Sequence, residues 1–465
     1  MGGCGAGVRP GGSGRRKKGL WATLTGELIR ELERLLGAET AERLDFEAVE
    51  TALRRTALEW TGRLLAAHLN ADLGDYQGPQ RSCPSCGQSA RYVDRRAKDF
   101  STVLGVLRLE RAYYCCADCH GGHCPRDAAL ALEGSSLSPG LRRMIGTVAS
   151  LESFEESSGL LRELAGVQVH PKQVERTAEA LGDRVAEDER QQAEPERLGP
   201  DAPTLYLGLD GTGIPMRPAE LLDRPGKAPD DSAKTREVKL CVIWTAEGRD
   251  AKGHPLRDPG SATYTAAIES AATDDAAAQL SAFAQRVERE ARRRSFSQAQ
   301  RQVILGDGAP WIWNLADELF PQAIQIVDRF HAKENLSSVA QQIYGSGSDL
   351  AAHWRRERHD ELDAGNLDAI LRALDPHTLS CDEARKAHGY FRTNRQRMRY
   401  SLFHAQGLCT STGIVEAGCR HVIGARLKRS GMRWTLRGAN AILALRCAQL
   451  SRNRFEDFWQ RQAGA

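Results

Sequence analysis

The sequence predicts a multidomain protein of the α+β class, and three observations lead to this prediction. The chain has 465 residues, several times the usual domain length of about 100 to 150. Apolar residues recur at helical spacing near its start, and short β-like runs then bracket a group of cysteines. From about residue 204 onward, strand patterns and helix patterns alternate. We therefore expect several small modules followed by one large domain.

The modules before that domain differ in composition. Residues 1–18 are glycine-rich and basic, which predicts a disordered tail, and residues 19–75 show the apolar spacing of a helical module. Residues 131–185 are predicted to be helical, with a break at Gly166 and a second helix opened by Pro171. This pair fits either a helix-turn-helix or a plain helical hairpin in a core. The polar residues 186–203 are predicted to be a linker.

Residues 204–465 are predicted to form the large domain. The patterns run as three strands, a helix, a strand, a helix and a strand, beginning with LYLGLD and including EVKLCVIWT and QVILGDG. This is the order of elements in the ribonuclease-H-like fold. From about 332 to 407 the pattern becomes helical and rich in His, Arg and Trp, which indicates a helical insertion within that fold.

Cysteines cluster between the helical modules, in residues 76–130. Cys83 and Cys86 are separated by two residues, as are Cys116 and Cys119, and 29 residues lie between the pairs. Paired C-x-x-C motifs joined by strands are typical of a structural zinc ribbon with four thiolate ligands. Other potential zinc ligands lie close by: Cys115, His120, His123 and Cys124. Cys116 is preferred to Cys115 because only Cys116 keeps the two-residue gap to Cys119.

Two aspartates follow apolar strands of the large domain. Asp210 ends LYLGLD, and Asp307 follows the strand VILG. In a sheet of the predicted order these strands are neighbours, so both carboxylates should lie at one edge of the sheet. Two carboxylates about 4 Å apart repel by roughly 4 kcal/mol at an effective dielectric of 20. The pair therefore predicts a divalent-metal site for phosphoryl transfer, with magnesium as the ion.

A third acid is expected on a helix after the insertion. Glu416 is the one acid in a segment that is otherwise basic and neutral, although it could equally be a first-turn acid favoured by the helix dipole. Asp328 and His331 follow the next strand and are candidate accessory residues that position DNA or a metal-bound water. They could instead be a helix cap and a core histidine.

The charge distribution indicates a polyanionic partner more clearly than the total charge does. The formal net charge is only +3, yet residues 417–455 contain nine Lys or Arg and no acid. Such a stretch suits DNA phosphates, although it could also be a solvated face. Because there is no signal peptide and no apolar run of about 18 residues, a cytoplasmic, nucleoid-associated protein without a membrane segment is expected.

Several strings together resemble a known family. LGLDGTGIP, ILGDGAPWIWNLA, IVDRFHAKENL and VEAGCRHVIGARLKRSGMRWTLRGANAILALR, with RAYYCCADC and CPRD upstream, are similar to the DDE transposases of bacterial ISKra-type insertion sequences. The resemblance implies a ribonuclease-H-like catalytic domain, magnesium and transposon-end DNA. Carried over by position, the metal-binding acids are Asp210, Asp307 and Glu416. The string CTSTGIVEAG departs from the family's small-residue run before its Val-Glu, while keeping small residues at that turn.

This resemblance leads to an expected activity. A transposase with two Mg²⁺ ions at its three acids would cut a DNA strand and join the 3′ hydroxyl to target DNA, as a homo-oligomer on double-stranded DNA. The rival hypotheses are a ribonuclease-H-like nuclease without strand transfer and a catalytically silent DNA-binding protein. Six residues of the basic segment are predicted to contact DNA: Arg420, Arg426, Lys428, Arg429, Arg433 and Trp434.

Overall fold

A computed structural model describes residues 25–30, 33, 45–192, 195, 204–222, 234–251, 253–271 and 279–464. The predicted basic tail at residues 1–18 lies outside these ranges. The chain divides into two compact units. Unit 1 comprises Met1–Val148 and Phe154–Val174, and unit 2 comprises Ala149–Ser153 and Glu175–Ala465. Within the described ranges, no helix combines the length and the apolar character that crossing a membrane requires.

Unit 1 contains a four-stranded antiparallel sheet in the order β1-β2-β3-β4. Its strands are β1 (Gln80–Ser82), β2 (Ser89–Thr102), β3 (Gly105–Cys116) and β4 (Gly122–His123). The β2–β3 hairpin turns at Gly105, whose φ of +96° lies in the region that favours glycine. One end of the sheet packs its apolar residues Phe100, Leu107 and Leu109 together, while the other end carries cysteines.

Helices precede and follow these strands in the chain. They are α1 (Phe46–Ala71), α2 (Pro125–Ala129), α3 (Pro139–Leu151), α4 (Phe154–Ala165) and α5 (Pro171–Gln191). Helix α1 approaches the hairpin closely, since a Cβ atom at Gly62 would lie 2.9 Å from the Leu104 carbonyl oxygen. The predicted break at Gly166 and the start of α5 at Pro171 are both confirmed.

Unit 2 contains a five-stranded mixed sheet in the order β11-β10-β5-β6-β9. Its strands are β5 (Thr204–Pro215), β6 (Thr235–Trp244), β9 (Thr263–Ala267), β10 (Arg301–Gly306) and β11 (Ile324–Val327), and a small separate hairpin is formed by β7 (Gly248–Arg249) and β8 (Pro255–Leu256). Strands β5, β6 and β9 pair antiparallel, whereas β10 pairs parallel with both β5 and β11. The predicted order of strands and helices is therefore present.

Helices flank and follow this sheet. They are α6 (Ala282–Arg293), α7 (Pro310–Leu319), α8 (Arg329–Tyr344), α9 (Asp349–Asp363), α10 (Leu367–Leu374), α11 (Asp382–Thr393), α12 (Tyr400–Ala405), α13 (Gly413–Gly418), α14 (Ala425–Leu427), α15 (Leu436–Leu450) and α16 (Arg454–Gly464). A π-helical segment, Cys419–Gly424, joins α13 to α14. The stretch predicted as a helical insertion, 332–407, is helical, and the α+β class is confirmed.

Helix α5 differs from two expectations. Most of it belongs to unit 2, where a Cβ atom at Gly182 would lie 2.2 Å from the Ala441 carbonyl oxygen of α15. Its Glu189 forms an ion pair of 3.4 Å with the largely buried Arg286 of α6. The predicted helical module of residues 131–185 is therefore divided between the two units. Helix α5 also continues to Gln191, so the predicted linker at 186–203 begins as helix.

Candidate functional site

Two of the predicted aspartates occupy neighbouring positions on parallel strands. The β5–β10 register pairs Gly208 with Leu305; Asp210 lies two residues further along β5, and Asp307 directly follows Gly306, the last residue of β10. Residues paired in a parallel sheet project from the same face, so these carboxylates share one row. Burial raises the pKa of Asp210, and the Asp307 carboxylate raises it further. The structure thus brings the two acids near each other, but Asp210 lies within β5, which continues to Pro215, and the prediction that Asp210 ends its strand is wrong.

Asp328 extends this row to a third strand. The β10–β11 register pairs Gly306 with Val327, so Asp328 stands beside Asp307 at the next position. Its side chain is 0% exposed and accepts the His331 amide at 2.8 Å and the Thr412 hydroxyl at 2.7 Å, together with the Thr412 amide. Asp328 is therefore the cap of α8, one of the two roles left open by the sequence, whereas His331 is partly exposed and is not a core residue.

Two hydrogen bonds orient the Asp210 carboxylate. The Cys419 thiol donates to its Oδ2 at 3.1 Å, and the Gly211 amide donates to its Oδ1 at 2.6 Å. Burial and the Asp210 carboxylate raise the pKa of Cys419, which keeps this thiol protonated as a donor. Cys419 begins the π-helical segment, a kind of distortion that is frequent at functional sites. No pattern in the sequence points to this role, because a scattered cysteine carries no spacing signal.

Asp307 is supported by a helix from the insertion. Its Oδ1 accepts the Ala309 amide at 2.9 Å, and its backbone carbonyl accepts the Tyr390 hydroxyl of α11 at 2.9 Å. Gly308 has a φ of +104°, and a Cβ atom there would lie 2.4 Å from the Tyr390 ring. Glycine is thus required both for this turn and for the close approach of Tyr390. No signal in the sequence connects residues 307 and 390.

Glu416 lies on α13, which packs on the same face of the sheet as Asp210. The helix approaches β5 at Gly208, where a Cβ atom would lie 2.2 Å from Cγ2 of Val415. The Glu416 side chain is 47% exposed, and its Oε1 is 3.8 Å from Nε2 of His331. Thr412, the N-cap residue of α13, donates its amide and hydroxyl to Asp328. These hydrogen bonds link the position of Glu416 on α13 to the carboxylate row.

The ligand-type side chains of this site fall into two neighbouring sets. Asp328, His331 and Glu416 have possible ligand atoms within 4.8 Å of one another. Among the described residues, Asp210 and Asp307 are not part of that compact group, although Asp307 influences the charge state of Asp210. Carboxylates in one row, flanked by a glutamate and an imidazole, offer the oxygen and nitrogen ligands of a divalent cation. Such a cation would also offset their mutual repulsion.

The predicted DNA-contacting residues separate into exposed and buried ones. The prediction is wrong for Arg426 and Trp434, which are 0% and 6% exposed. Arg426 donates to the Ala149 carbonyl at 2.8 Å and lies over the Trp434 ring at 5.0 Å. The indole of Trp434 donates to the Leu427 carbonyl at 3.0 Å. This arginine stabilises the interior of unit 2 and offers no surface to a phosphate.

The remaining four residues of that prediction are at least partly accessible. Arg420, Lys428 and Arg433 are exposed, whereas Arg429 is partly exposed and forms an ion pair with Glu152. The ammonium group of Lys428 contacts the Thr212 hydroxyl. Thr212 is two residues beyond Asp210 on β5 and therefore projects from the same face. Lys428 thus lies on the acid-bearing face of the sheet.

The four predicted cysteines of unit 1 form one cluster. Sγ of Cys83 lies 3.7 Å from Sγ of Cys119, and Sγ of Cys86 lies 3.6 Å from Sγ of Cys116. All four sulfurs lie within 4.8 Å of one another. Four sulfurs at Zn–S bonds of 2.3 Å would be about 3.8 Å apart in a tetrahedron, so the cluster could hold zinc. The choice of Cys116 over Cys115 is confirmed.

Backbone amides favour the thiolate form at one of the four sulfurs, that of Cys83. Amides of Ser85 and Cys86 donate to the Cys83 sulfur and lower the pKa of its thiol to about 6. A lowered pKa favours the thiolate, which is the form that binds metal. Gly87, with a φ of +76°, closes the first turn by donating to the Cys83 carbonyl at 2.9 Å. In the part of the chain that the structure describes, His120, His123 and Cys124 do not join the group.

Fold and site together define an α+β protein with a row of carboxylates on a mixed sheet and a separate four-cysteine cluster. The chain belongs to the uncharacterised protein family UPF0236, which matches residues 87–458. The matched range contains the whole carboxylate row and begins after Cys86. No curated protein matches the chain.

Proposed function

We propose that this protein is a DNA transposase that cleaves DNA at the ends of an insertion sequence and joins 3′ hydroxyl ends to target DNA. The observation that carries the proposal is that Asp210 on β5 and Asp307, directly after the adjacent parallel strand β10, lie at neighbouring positions. Glu416 lies on a helix packed on the same face. Carboxylates in this arrangement are suited to divalent ions that act on phosphodiesters.

The topology of unit 2 supports a ribonuclease-H-like catalytic domain. Three antiparallel strands are followed by two parallel ones, and the fourth strand in sequence returns beside the first, which gives the order β11-β10-β5-β6-β9. Helices α6 and α7 precede and follow β10, as in that fold. The strings that resemble ISKra-type transposases fall on β5, β10, β11 and the segment from α13 to α15. Fold and motif therefore support the same class of enzyme.

Asp210, Asp307 and Glu416 are the residues that would hold Mg²⁺. When bound there, the ions would activate the attacking oxygen and stabilise the leaving one. Cys419 and Gly211 hold the Asp210 carboxylate in place, and Tyr390 supports the loop of Asp307. Lys428, on the same face, is placed to contact a phosphate next to the scissile bond.

The cysteine cluster supports a second, structural role in unit 1. We assign it as a zinc ribbon, because its four sulfurs lie within 4.8 Å of one another and four thiolates would fill the coordination sphere of a structural zinc ion. Zinc binding would contribute on the order of 10 kcal/mol to the folding of this small module. We assign recognition of the end sequence to unit 1 and strand chemistry to unit 2.

The decisive experiment compares cleavage and transfer by wild type and Asp307→Asn. On a labelled end duplex with Mg²⁺, the variant should lose several powers of ten in rate for both steps, because each uses the same ions. Its DNA binding in a gel shift should remain. Asp317→Asn is the matched control, since Asp317 is an exposed acid on α7 and its loss should leave both rates unchanged.

Two results would contradict the proposal. Cleavage by Asp307→Asn at the wild-type rate would show that this carboxylate has no part in the chemistry. Cleavage that depends on Asp307 without joining of a pre-cut 3′ end would instead identify a nuclease. A pre-cut end is therefore included as a second substrate.

A further inference from the structure

His331 is held in a fixed orientation next to the carboxylate row. Its backbone amide donates to Asp328 at 2.8 Å, which places the residue in the first turn of α8. Its Nδ1 lies 3.1 Å from Oε2 of Glu334, one turn further along the same helix. Its Nε2 faces Oε1 of Glu416 at 3.8 Å. One ring nitrogen is thus engaged by a carboxylate, and the other faces an acid proposed to bind metal.

Asp328 determines how close the side chains of His331 and Glu416 are to each other. The same buried carboxylate accepts the His331 amide of α8 and both the amide and the hydroxyl of Thr412, where α13 begins. Through these hydrogen bonds Asp328 acts as a bracket that fixes the starts of α8 and α13 relative to each other. Thr412 and Glu416 are one helical turn apart, so the bracket also fixes the position of Glu416. Because its oxygens already accept these three donors, Asp328 serves better as this bracket than as a metal ligand.

The geometry matches a common pattern around metal ions. A histidine that binds metal through one nitrogen usually donates its other N–H to a carboxylate, which sets the tautomer and the ring orientation. Two ligands on one ion with bonds of about 2.1 Å lie about 3 Å apart when they occupy adjacent octahedral positions. The 3.8 Å between Nε2 and Oε1 needs only a small side-chain movement to reach that distance.

We propose that His331 is a nitrogen ligand of the divalent-metal centre and makes it bind Mn²⁺ more tightly than Mg²⁺. The inference rests on the proposed function and adds to it the ligand set and the preferred ion. Imidazole nitrogen binds transition metals well, whereas Mg²⁺ favours oxygen ligands and retained water. Glu334 is the orienting residue, and Glu416 is the oxygen ligand that shares the ion with His331.

The test measures binding of Mn²⁺ alone to the zinc-loaded full-length protein by electron paramagnetic resonance. Wild type should show nitrogen coupling to the bound Mn²⁺, and His331→Gln should lose it. The same variant should bind Mn²⁺ at least about tenfold more weakly, whereas Mg²⁺ affinity measured by competition should fall by about threefold or less. Glu334→Gln should weaken Mn²⁺ binding while nitrogen coupling remains.

His353→Gln is the matched control. His353 pairs with Glu357 at 3.4 Å on α9, and its side chain is 67% exposed; it has the same histidine–carboxylate contact, but no ion pair with a second acid among the described residues. It should leave the spectrum unchanged. Absence of nitrogen coupling in wild type, or wild-type Mn²⁺ affinity in His331→Gln, would overturn the inference. These results need no DNA, so they are distinct from failure of the cleavage experiment with Asp307→Asn.

Discussion

Cys115 and Cys116 are adjacent in the chain, yet only Cys116 lies in the cysteine cluster. Successive side chains of a strand point to opposite faces, and both residues end β3. Cys116 is 0% exposed among the core residues of this end of unit 1, whereas Cys115 is partly exposed on the other side. The two-residue gap to Cys119 selects Cys116, and the alternation of side chains along β3 places the same residue on the cluster side.

This difference provides a test at a single residue. Cys116→Ser should lose the zinc, which wild type should carry at about one ion per chain, because three thiolates remain of four. Cys115→Ser, the matched control, should keep it. Metal content by mass spectrometry of the purified proteins measures both. Full zinc in Cys116→Ser would show that this cluster is not the metal site.

At the scale of elements, the approach of α13 to β5 depends on Gly208. A Cβ atom at this position would lie 2.2 Å from Val415 and 2.9 Å from the fully buried Trp244. Neither neighbour is the flexible end of a side chain, so the helix would have to move. Because Glu416 follows Val415 directly, a shift of this contact also moves the proposed metal ligand.

Gly208→Ala should therefore destabilise the protein by about 1 to 3 kcal/mol, as overpacked cores do, and weaken divalent-ion binding. The double variant Gly208→Ala with Val415→Ala should recover part of both losses, since the second change removes the clashing methyl group. Chemical denaturation and ion titration provide the measurements. Gly389→Ala in α11, where no atom lies within 4 Å of the added methyl group, should be neutral or slightly stabilising. Equal effects at both glycines would rule out this account.

The contact between α6 and α16 makes the stability of the fold depend on pH. Burial alone would raise the pKa of Glu290 on α6, but Arg454 of α16 and Arg293 outweigh it and lower that pKa to about 2. Both oxygens of Glu290 accept from Arg454 at 2.8 Å. Because the folded pKa lies below the unfolded value, the charged carboxylate stabilises the fold above pH about 4.5, and this contribution is lost as pH falls toward 2.

We expect Glu290→Gln to lower the free energy of unfolding at pH 7 by about 3 kcal/mol, since it leaves buried arginine charge uncompensated. The difference from wild type should shrink between pH 5 and pH 2, where the wild-type carboxyl group becomes protonated. Glu288→Gln is the control, because Glu288 is partly exposed and pairs with Arg292 on the same helix. Urea unfolding across this pH range measures the effect. A difference that stays constant with pH would contradict the account.

At the scale of the whole molecule, folding redistributes the charge of the carboxyl-terminal segment. The sequence shows nine basic residues without an acid between 417 and 455. In the structure, acids from distant parts of the chain pair with Arg429, Arg437 and Arg454, and Arg426 and Arg446 are buried. The exposed basic residues of this segment with no ion pair to a described acid are Arg420, Lys428, Arg433 and Arg452.

DNA affinity should therefore depend on fewer cations than the sequence suggests. Replacing both Lys428 and Arg433 by Ala should lower the slope of log affinity against log salt by about 2, because two phosphate contacts are lost. Replacing Arg385 and Lys386 by Ala removes the same charge from ion pairs on the surface of α11 and should leave the slope unchanged. Titrations at several salt concentrations measure both. Equal changes in the two double variants would indicate a general charge effect.

The sequence by itself determined the elements whose signals are local. Apolar runs that lead into Asp-Gly located Asp210 and Asp307, although β5 continues beyond Asp210; the C-x-x-C spacing located four cysteines, and Pro171 marked the start of a helix. These features depend on neighbouring residues in the chain, so pattern and propensity suffice to find them.

Only the tertiary structure decided which distant residues meet. The sequence marked Asp328 and His331 as candidate accessory residues, but the β10–β11 register sets Asp328 beside Asp307, and Cys419 and Tyr390 reach the acids through helices that follow much later in the chain. Arg426 and Trp434 had the composition of a DNA-binding face, yet they are buried. Burial and ion pairing depend on packing between segments far apart in the chain, and residue types within one segment do not encode that packing.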